Sequence, residues 1–425
     1  MANHVCFIVP PYLLEGIAQS PDTGAREVAA KTISLSHKLR DDRLQHFAAS
    51  SAPGSRPQDA PSTSQARSIV PDYLLEHISK AEDVDEEVKK SATQSLALSQ
   101  QIRDGRQQTL AEHPQHAVSK TVAHFWRGVY NMENQGSEDD DGQSLPGEPA
   151  RLEGQPASSD QTVNQAYDSC LKVLQFYKDT FNYDSIDNKN MHVINSVHFG
   201  SGFGNAFWNG QQMVYGDGDD TIGNFTACLD VIGHEMTHGV TQFNSKLEYE
   251  GESGALNEHI SDVFGIMVKQ IVEQTTAEQS DWLIGEGCLM PGVKGVALRN
   301  MQSPGTAYND PKLGGKDPQP ASYDEIPAWV TQDEPSRNND FGGVHLTSGI
   351  PNRAFAISAL AFGGFSWEKA GKIWWKTVTS RQISPHCTFI QFADLTVESA
   401  KKLYGVSDAR TVRNAWNTVG VVRHI

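Results

Sequence analysis

Apolar and polar positions change their spacing several times along the chain. Three short runs of strand-like composition, TVAHFWRGVYNME (121–133), MHVINSVHF (191–199) and MVYGDGDD (213–220), predict strands after residue 119. Between the first two, DQTVNQAYDSCLKVLQFYKDTF (160–181) places its apolar residues at helical spacing. From Thr226 onward the pattern is mostly helical. The sequence therefore predicts an α+β fold in which a mixed lobe precedes a helical lobe.

The apolar stretches and the cysteines indicate where in or outside the cell the protein is expected. AFAISALAFGGF (354–365) is about half the length that a membrane span requires and suits a buried core helix. Prolines interrupt the apolar residues at the chain start, so we expect no signal peptide. The 5 cysteines lack CxxC spacing, and their odd number argues against a disulfide framework. We therefore expect a cytoplasmic protein, with secretion by an unconventional route as the alternative.

Two similar units precede the lobes. The string VPPYLLEGI (9–17) recurs in similar form as VPDYLLEHI (70–78), and amphipathic sequence with helical spacing follows each copy. Residues 50–65, between the units, have the Ser/Pro/Gly/Asp composition of a flexible linker. Two copies indicate a duplication rather than a solenoid. We call the proline-tyrosine-leucine string of each unit its hook: Pro10, Pro11, Tyr12 and Leu14 in the first unit, and Pro71, Tyr73 and Leu75 in the second.

Charge narrows the class of partner. The 425 residues carry 35 Lys and Arg against 52 Asp and Glu, a net charge of −17. This balance disfavours nucleic acids and anionic membranes as partners and favours cations.

The candidate chemistry lies in DVIGHEMTHGV (230–240). Residues four apart share one helix face, so His234 and His238 can present two imidazoles to one metal ion, with Glu235 beside them. A catalytic zinc ion takes three protein ligands, and Glu258 in ESGALNEHISDVFG supplies a third on the next predicted helix. Asp262, one turn further on, can accept the other ring N–H of a ligand histidine.

The residue types predict a hydrolytic reaction. Two neutral histidines and one carboxylate leave zinc positive, so it can acidify water and polarise a carbonyl, while Glu235 takes the proton. An amide is the expected scissile bond. Its oxyanion needs further donors, and Tyr249 and His345 are the candidates, with Asp340 placed to orient His345.

Simpler explanations exist for single elements of this pattern. HExxH recurs by chance, a histidine pair on a helix is often structural, and Asp262 alone is equally a helix-surface acid. The coincidence of HExxH, ESGALNE and VHLTSG in one chain favours the catalytic interpretation.

Four strings together, HEMTHGVTQ, ESGALNEHISDVFG, NAFWNGQQMVYGDGD and DFGGVHLTSG, resemble the thermolysin family of zinc metalloendopeptidases over residues 119–425. The resemblance implies a two-lobed zincin, with a β-rich N-terminal lobe and an α-helical C-terminal lobe. The expected organisation is a first propeptide-like unit (1–49), a linker (50–65), a second such unit (66–118), an α+β lobe with the HExxH helix (119–250) and a helical lobe (251–425).

The resemblance also implies roles for residues. Zinc would be held by His234, His238 and Glu258, with Glu235 as the general base. Tyr249 and His345 would donate to the oxyanion, and Asp262 and Asp340 would orient the histidines. The backbone of the substrate would pair with the edge formed by Asn205, Ala206 and Trp208. Arg299 would bind the carbonyl beyond the scissile bond, and Leu298 and Val231 would line an apolar pocket for the residue after the cut. Cleavage would then fall before large apolar residues. Taken alone, the NAFW edge is equally a core strand and Arg299 a surface ion-pair partner.

One part of the family pattern is altered. Asp230, Asp281 and Glu286 match positions of a two-calcium cluster, but Lys269 occupies another of its positions. An ammonium group there can replace one cation, so we expect one calcium ion or none.

The hook resembles the short propeptide of the protealysin-like branch of the family, which plugs the cleft. Prolines lower the ordering cost of such a plug, and Tyr and Leu provide apolar anchors. The alternative is that the hook only starts a helix and anchors it to a core. We expect the unit adjacent to the enzyme (67–110) to dock in the cleft as the inhibitor. The first unit would then be a duplicated spare, a partner-binding module or an alternative plug. We expect the bond that is cut during processing to lie between residues 106 and 123.

The leading hypothesis is therefore a latent zinc endopeptidase that acts on proteins and peptides and removes its own N-terminal region. An exopeptidase would need groups that capture a free amino terminus, for which we find no suitable string. A binding protein on a retained zinc scaffold would not need Glu235, Tyr249 and His345.

Overall fold

A six-stranded mixed sheet forms the core of the N-terminal lobe. The computed structural model describes residues 6–20, 22–50, 125–135, 145–245, 247–336 and 339–422, with the backbone alone for 40–50. Its strand order is β1-β5-β6-β4-β2-β3, with β2 parallel to β4 and β4 parallel to β6. The strands are β1 (Cys6–Phe7), β2 (Arg127–Asn131), β3 (Glu148–Leu152), β4 (Val193–Val197), β5 (Ala206–Trp208) and β6 (Met213–Tyr215).

The first N-terminal unit contributes the edge of this sheet. Its strand β1 pairs antiparallel with β5, and helices α1 (Pro11–Ala18) and α2 (Thr23–Ser50) follow. Helix α1 begins with Pro11, where a missing N–H costs nothing. Leu13 and Leu14 of this helix are buried. The hook thus begins helix α1 and places buried leucines along it.

The sheet packs on helix α3 (Gln161–Phe181), which supports the active-site helices. Asp160 caps its N-terminus by accepting from the N–H groups of Thr162 and Val163. At the other end Asn182 takes the left-handed conformation that closes the helix. The three predicted strands and this predicted helix are confirmed.

Two buried helices, α4 (Leu229–Asn244) and α5 (Gly251–Glu273), form the floor between the lobes. They approach closely because each has a glycine at the crossing. A Cβ added to Gly233 would lie 3.0 Å from the Cα of Gly265, and one added to Gly265 would lie 2.5 Å from the carbonyl oxygen of Asp230. The missing side chains let the HExxH helix and the Glu258 helix lie backbone to backbone.

The C-terminal lobe is helical, with an aromatic core around Trp374. The indole stacks on Trp416 at 6.3 Å, meets Phe355 edge-on at 5.0 Å, and donates to His259 Nε2 at 2.8 Å. Its helices are α6 (Ala328–Gln332), α7 (Asp340–Thr347), α8 (Gly349–Phe362), α9 (Lys369–Val378), α10 (Phe389–Tyr404) and α11 (Val406–Thr418). The connecting ribbons are β7 (Leu283–Ile284) with β8 (Arg299–Asn300), and β9 (Asn309–Asp310) with β10 (Gly315–Lys316).

The apolar stretch at 354–365 contributes to α8, a largely buried helix, as predicted. Among the described residues, none of the helices has the length and apolarity needed to cross a bilayer. The second hook, with Pro71, Tyr73 and Leu75, lies outside the described residues.

Candidate active site

Three buried side chains meet where α4 crosses α5. His234 and His238 come from α4, and Glu258 comes from α5. Their ligand atoms all lie within 4.8 Å of one another, the two histidine Nε2 atoms being 2.9 Å apart. Glu258 Oε2 lies 3.4 Å from His234 Nε2, and Oε1 lies 3.5 Å from His238 Nε2. The structure thus brings the predicted metal ligands together.

The partners of the other ring nitrogens show that this cluster fits zinc. His234 Nδ1 bonds to Asp262 Oδ1 at 2.9 Å, and His238 Nδ1 bonds to Asn257 Oδ1 at 2.9 Å. Because these oxygens are acceptors, each Nδ1 carries the proton and each Nε2 presents a lone pair. Two lone pairs 2.9 Å apart repel one another unless they share a cation. Nitrogen and carboxylate donors are the set that zinc prefers.

Glu235 lies on the same helix as the two histidine ligands and is fully buried. Burial raises the pKa of Glu235 to about 8 because removal from bulk solvent disfavours the charged carboxylate, while His234 works in the opposite direction. A carboxyl group with a pKa near neutrality can take up a proton and return it.

Tyr249 and His345 lie together beside the metal ligands. Tyr249 Oη is 3.3 Å from His345 Nε2 and donates to Glu258 Oε1. His345 Nδ1 bonds to Asp340 Oδ1 at 2.8 Å, as predicted. Although burial opposes the charge, Asp340 and Glu258 raise the pKa of His345. An imidazole that donates near the metal ligands suits a developing oxyanion.

The chain bends sharply to bring His345 into the site. Gly342 and Gly343 have φ angles of 82° and 71°, in the left-handed region where glycine is unstrained. This bend lets Asp340 reach both the ring and the backbone N–H of His345, the latter at 2.9 Å from Oδ2.

Arg299 is a buried site residue and not a surface ion-pair partner. Its Nε and Nη2 atoms donate to the two oxygens of Asp262 at 2.8 and 2.6 Å. Asn352 also donates to Asp262, at 2.8 Å. Burial alone would raise the pKa of Asp262, but Arg299 and His234 hold it below its usual range. Asp262 thereby joins a zinc-ligand histidine to the arginine.

Residues of the first unit lie in the cleft. The Phe7 carbonyl accepts from His345 Nε2 at 2.5 Å, and the Ile8 carbonyl accepts from Arg299 Nη1 at 2.8 Å. Val9 exchanges two hydrogen bonds with the side chain of Asn205, at 2.7 and 3.0 Å. The predicted edge therefore does pair with an extended chain.

This position corrects the prediction that the second unit docks. The contacts come from residues 6–9 of the first unit, which precede its hook and were not among the predicted site residues. A signal was present, since the pair Ile8-Val9 recurs as Ile69-Val70 before the second hook. Asn257 and Asn352 were also missed, because an amide near a helix turn has no distinctive pattern.

The other predicted substrate-binding residues are buried near the cleft. Ala206 accepts from the N–H of Ile8 at 3.1 Å, and Trp208 is the register partner of Cys6. Val231 and Leu298 are 0% and 1% exposed, and the pocket that they were predicted to line stays a prediction.

The predicted calcium positions are bridged by a lysine. Lys269 Nζ donates to Asp281 at 2.9 Å and to Glu286 at 2.8 Å. Asp230 accepts instead from the N–H of Gly285 at 2.6 Å. The ammonium group thus lies among acids that would otherwise face one another.

Comparison with known proteins identifies the family. The sequence model for the thermolysin metallopeptidase catalytic domain matches residues 103–242, and that for the alpha-helical domain matches residues 245–421. The chain belongs to the thermolysin metallopeptidase family. It is a zinc metalloprotease with the thermolysin-like fold, which confirms the predicted family, fold class and enzyme class.

Related members of the family span nearly the same length. An extracellular metalloprotease of Pectobacterium carotovorum subsp. carotovorum is 42% identical over 83% of this chain and 96% of its own. Protease PrtS of Photorhabdus sp. (strain Az29) is 39% identical over 84% and 92%. The solved precursor of protealysin, a metalloproteinase from Serratia proteamaculans, matches with a TM-score of 0.65 and 41% identity, covering 84% of this chain and 100% of that one.

These relatives overturn the predicted location. The expected cytoplasmic location is wrong, since the Pectobacterium relative is named an extracellular metalloprotease. The prediction depended on the prolines near the chain start and on the spacing and number of the cysteines, and these features do not report on the route of export.

Proposed function

We propose that the protein is a zinc endopeptidase, made in a latent form, that cuts before large apolar residues and acts outside the cell. Zinc, when bound by His234, His238 and Glu258, supplies a Lewis acid. Glu235 accepts the proton of the attacking water and returns it to the leaving amine. Tyr249 and His345 stabilise the oxyanion.

The observation that carries this proposal is the buried His-His-Glu cluster beside His345, whose imidazole already holds a peptide carbonyl. A zinc scaffold needs only the three ligands. His345 binds this carbonyl, Tyr249 lies 3.3 Å from the His345 ring, and Glu235 is buried on the helix of the two histidine ligands, so the set supports hydrolysis.

We further propose that the first unit is the inhibitor. It occupies the edge of β5 and the Arg299 contact that a substrate would use. Gly16 explains the choice of copy: a Cβ there would lie 2.6 Å from the carbonyl carbon of Leu313 and 2.7 Å from the Cα of Gly314. The second unit has His77 at the corresponding position, so it cannot adopt the same docked position without moving backbone.

We also propose that Lys269 replaces calcium electrostatically, because it bonds to two of the three candidate acids.

Glu235→Gln tests the enzymatic proposal. The variant keeps shape and zinc ligands, so zinc content should equal that of the wild type, while hydrolysis of a Leu-containing peptide falls by about 10²–10⁴-fold. Glu278→Gln, the same change at an exposed position, is the control and should hydrolyse the peptide as fast as the wild type under the same conditions. A Glu235→Gln protein with undiminished hydrolysis would refute the assigned base. A peptide with Asp in place of Leu tests the specificity and should be cut far more slowly.

A further inference from the structure

The segment before the first hook runs through the site with a defined direction. Strand β1 is antiparallel to β5, with Phe7 opposite Phe207. The N–H of Ile8 donates to the Ala206 carbonyl at 3.1 Å, and the N–H of Val9 donates to Asn205 Oδ1 at 2.7 Å. Main-chain bonds therefore fix which carbonyl faces which side chain.

Those carbonyls identify one peptide bond. The Phe7 carbonyl lies on His345, the oxyanion donor, and the Ile8 carbonyl lies on Arg299, the expected donor to the carbonyl beyond the cut. On the roles proposed above, the bond between these two contacts, Phe7–Ile8, is at the scissile position.

The metal ligand Glu258 lies beside the histidine that binds the carbonyl of this bond. The His345 nitrogen that holds the Phe7 carbonyl is 3.5 Å from Glu258 Oε2 and 3.3 Å from Tyr249 Oη. Ile8 is fully buried and is a large apolar residue directly after the bond, which is the proposed preference.

We propose that Phe7–Ile8 is the protein's own substrate and is cut within the same molecule; this inference rests on the proposed function. In the reaction the oxygen of water bonds to the Phe7 carbonyl carbon, and the bond to the Ile8 nitrogen breaks. Phe7 leaves as a carboxylate on the fragment 1–7, and the Ile8 amine takes up a proton. No further reactant is required.

The contacts that remain after the cut predict an ordered activation. The bonds between Val9 and Asn205, and the packing of α1 with Gly16 against Leu313, do not depend on the severed bond. Residues 8–18 therefore stay in place at first. Loss of residues 1–7 precedes loss of the unit.

An intact-mass time course of the full chain, purified without zinc and then given zinc, tests the inference. The wild type should lose MANHVCF as its first fragment, at a rate that does not change on dilution. Glu235→Gln should stay whole. Ile8→Asp places a charge in the buried position and should abolish this cut, whereas the matched change in the second unit, Ile69→Asp, should not.

A second measurement does not depend on catalysis. In the Glu235→Gln chain, the amides of Ile8 and Val9 should be protected from hydrogen exchange with and without zinc. Adding Ile8→Asp should remove that protection, and adding Ile69→Asp should leave it.

The outcomes separate the inference from the proposed function. Peptide hydrolysis by the Ile8→Asp/Ile69→Asp chain, together with an uncut Phe7–Ile8 bond in the wild type, would overturn the inference alone. No hydrolysis by any zinc-loaded chain would overturn the function. A first cut elsewhere, or a rate that rises with protein concentration, would refute self-cleavage at this bond.

Discussion

Gly16→Ala provides a sharp test of how the first unit is held, because two effects of the substitution have opposite signs. Alanine favours a helix over glycine by about 1 kcal/mol, so propensity alone predicts tighter docking of α1. The contact predicts the reverse, since the new methyl carbon would lie 2.6 Å from the Leu313 carbonyl carbon and 2.7 Å from the Gly314 Cα. Carbon atoms at rest are about 3.5–4.0 Å apart.

The obstructing atoms belong to backbone, so no side-chain rotation relieves the clash. Overpacking of this kind costs about 1–3 kcal/mol. After the gain of about 1 kcal/mol in helix propensity is subtracted, up to about 2 kcal/mol remains against the docked state, which raises the fraction of molecules with an open cleft by up to about 30-fold.

The assay is the initial rate of peptide hydrolysis by freshly zinc-loaded full-length chain, with mass spectrometry confirming that no segment has yet been lost. Gly24→Ala in α2 is the matched control, because its added methyl meets only Asp22 Oδ1, at 3.4 Å. Gly16→His, which copies the second unit, should release the cleft at least as strongly. A Gly16→Ala chain that is as latent as Gly24→Ala would refute the reasoning.

Three further predictions follow from the site and its surroundings. Lys269→Met should cost about 1–3 kcal/mol of stability in urea unfolding and make stability respond to added calcium, because Asp281 and Glu286 lose their shared donor; an equal calcium response in the wild type would contradict this. The Asp217 hydrogen bond raises the pKa of His198 to about 9. The wild type should therefore be more stable to unfolding than His198→Gln, by the full amount below about pH 6.5 and by a difference that disappears as pH rises through about 9. A stability difference that does not change with pH would exclude the ion pair between His198 and Asp217. Chelation should abolish hydrolysis and lower the melting temperature, with zinc restoring both, and an unchanged melting temperature would argue against a buried metal.

The metal site was predictable because its information is local. His234 and His238 are one helical turn apart, and Glu258 needed only a second helix to cross the first. The orienting contact of Asp262 followed from the usual chemistry of a ligand histidine.

The occupant of the cleft was less accessible to sequence reasoning. The hydrogen bond between Arg299 and Ile8 joins positions 291 apart in the sequence. Its acceptor is a backbone carbonyl, which every residue type has, so the sequence does not indicate it. The proposed choice between units depends on the absence of a Cβ at Gly16, and the importance of this glycine is visible only when Leu313 lies against it. The tyrosine and leucines of the hook indicated the anchors of α1, but they did not indicate that residues 6–9, which precede the hook, occupy the cleft.

The antiparallel pairing of β1 with β5 has a consequence for the mature enzyme in solution. In the latent chain β1 terminates the sheet, so the outward N–H and C=O groups of β5 are satisfied. Loss of the first unit leaves an open edge that accepts extended chains through main-chain bonds, whatever their side chains. The three residues of β5 make that edge too short for extensive pairing between copies. The open edge can therefore bind extended polypeptides, while its short length limits aggregation of the enzyme with itself.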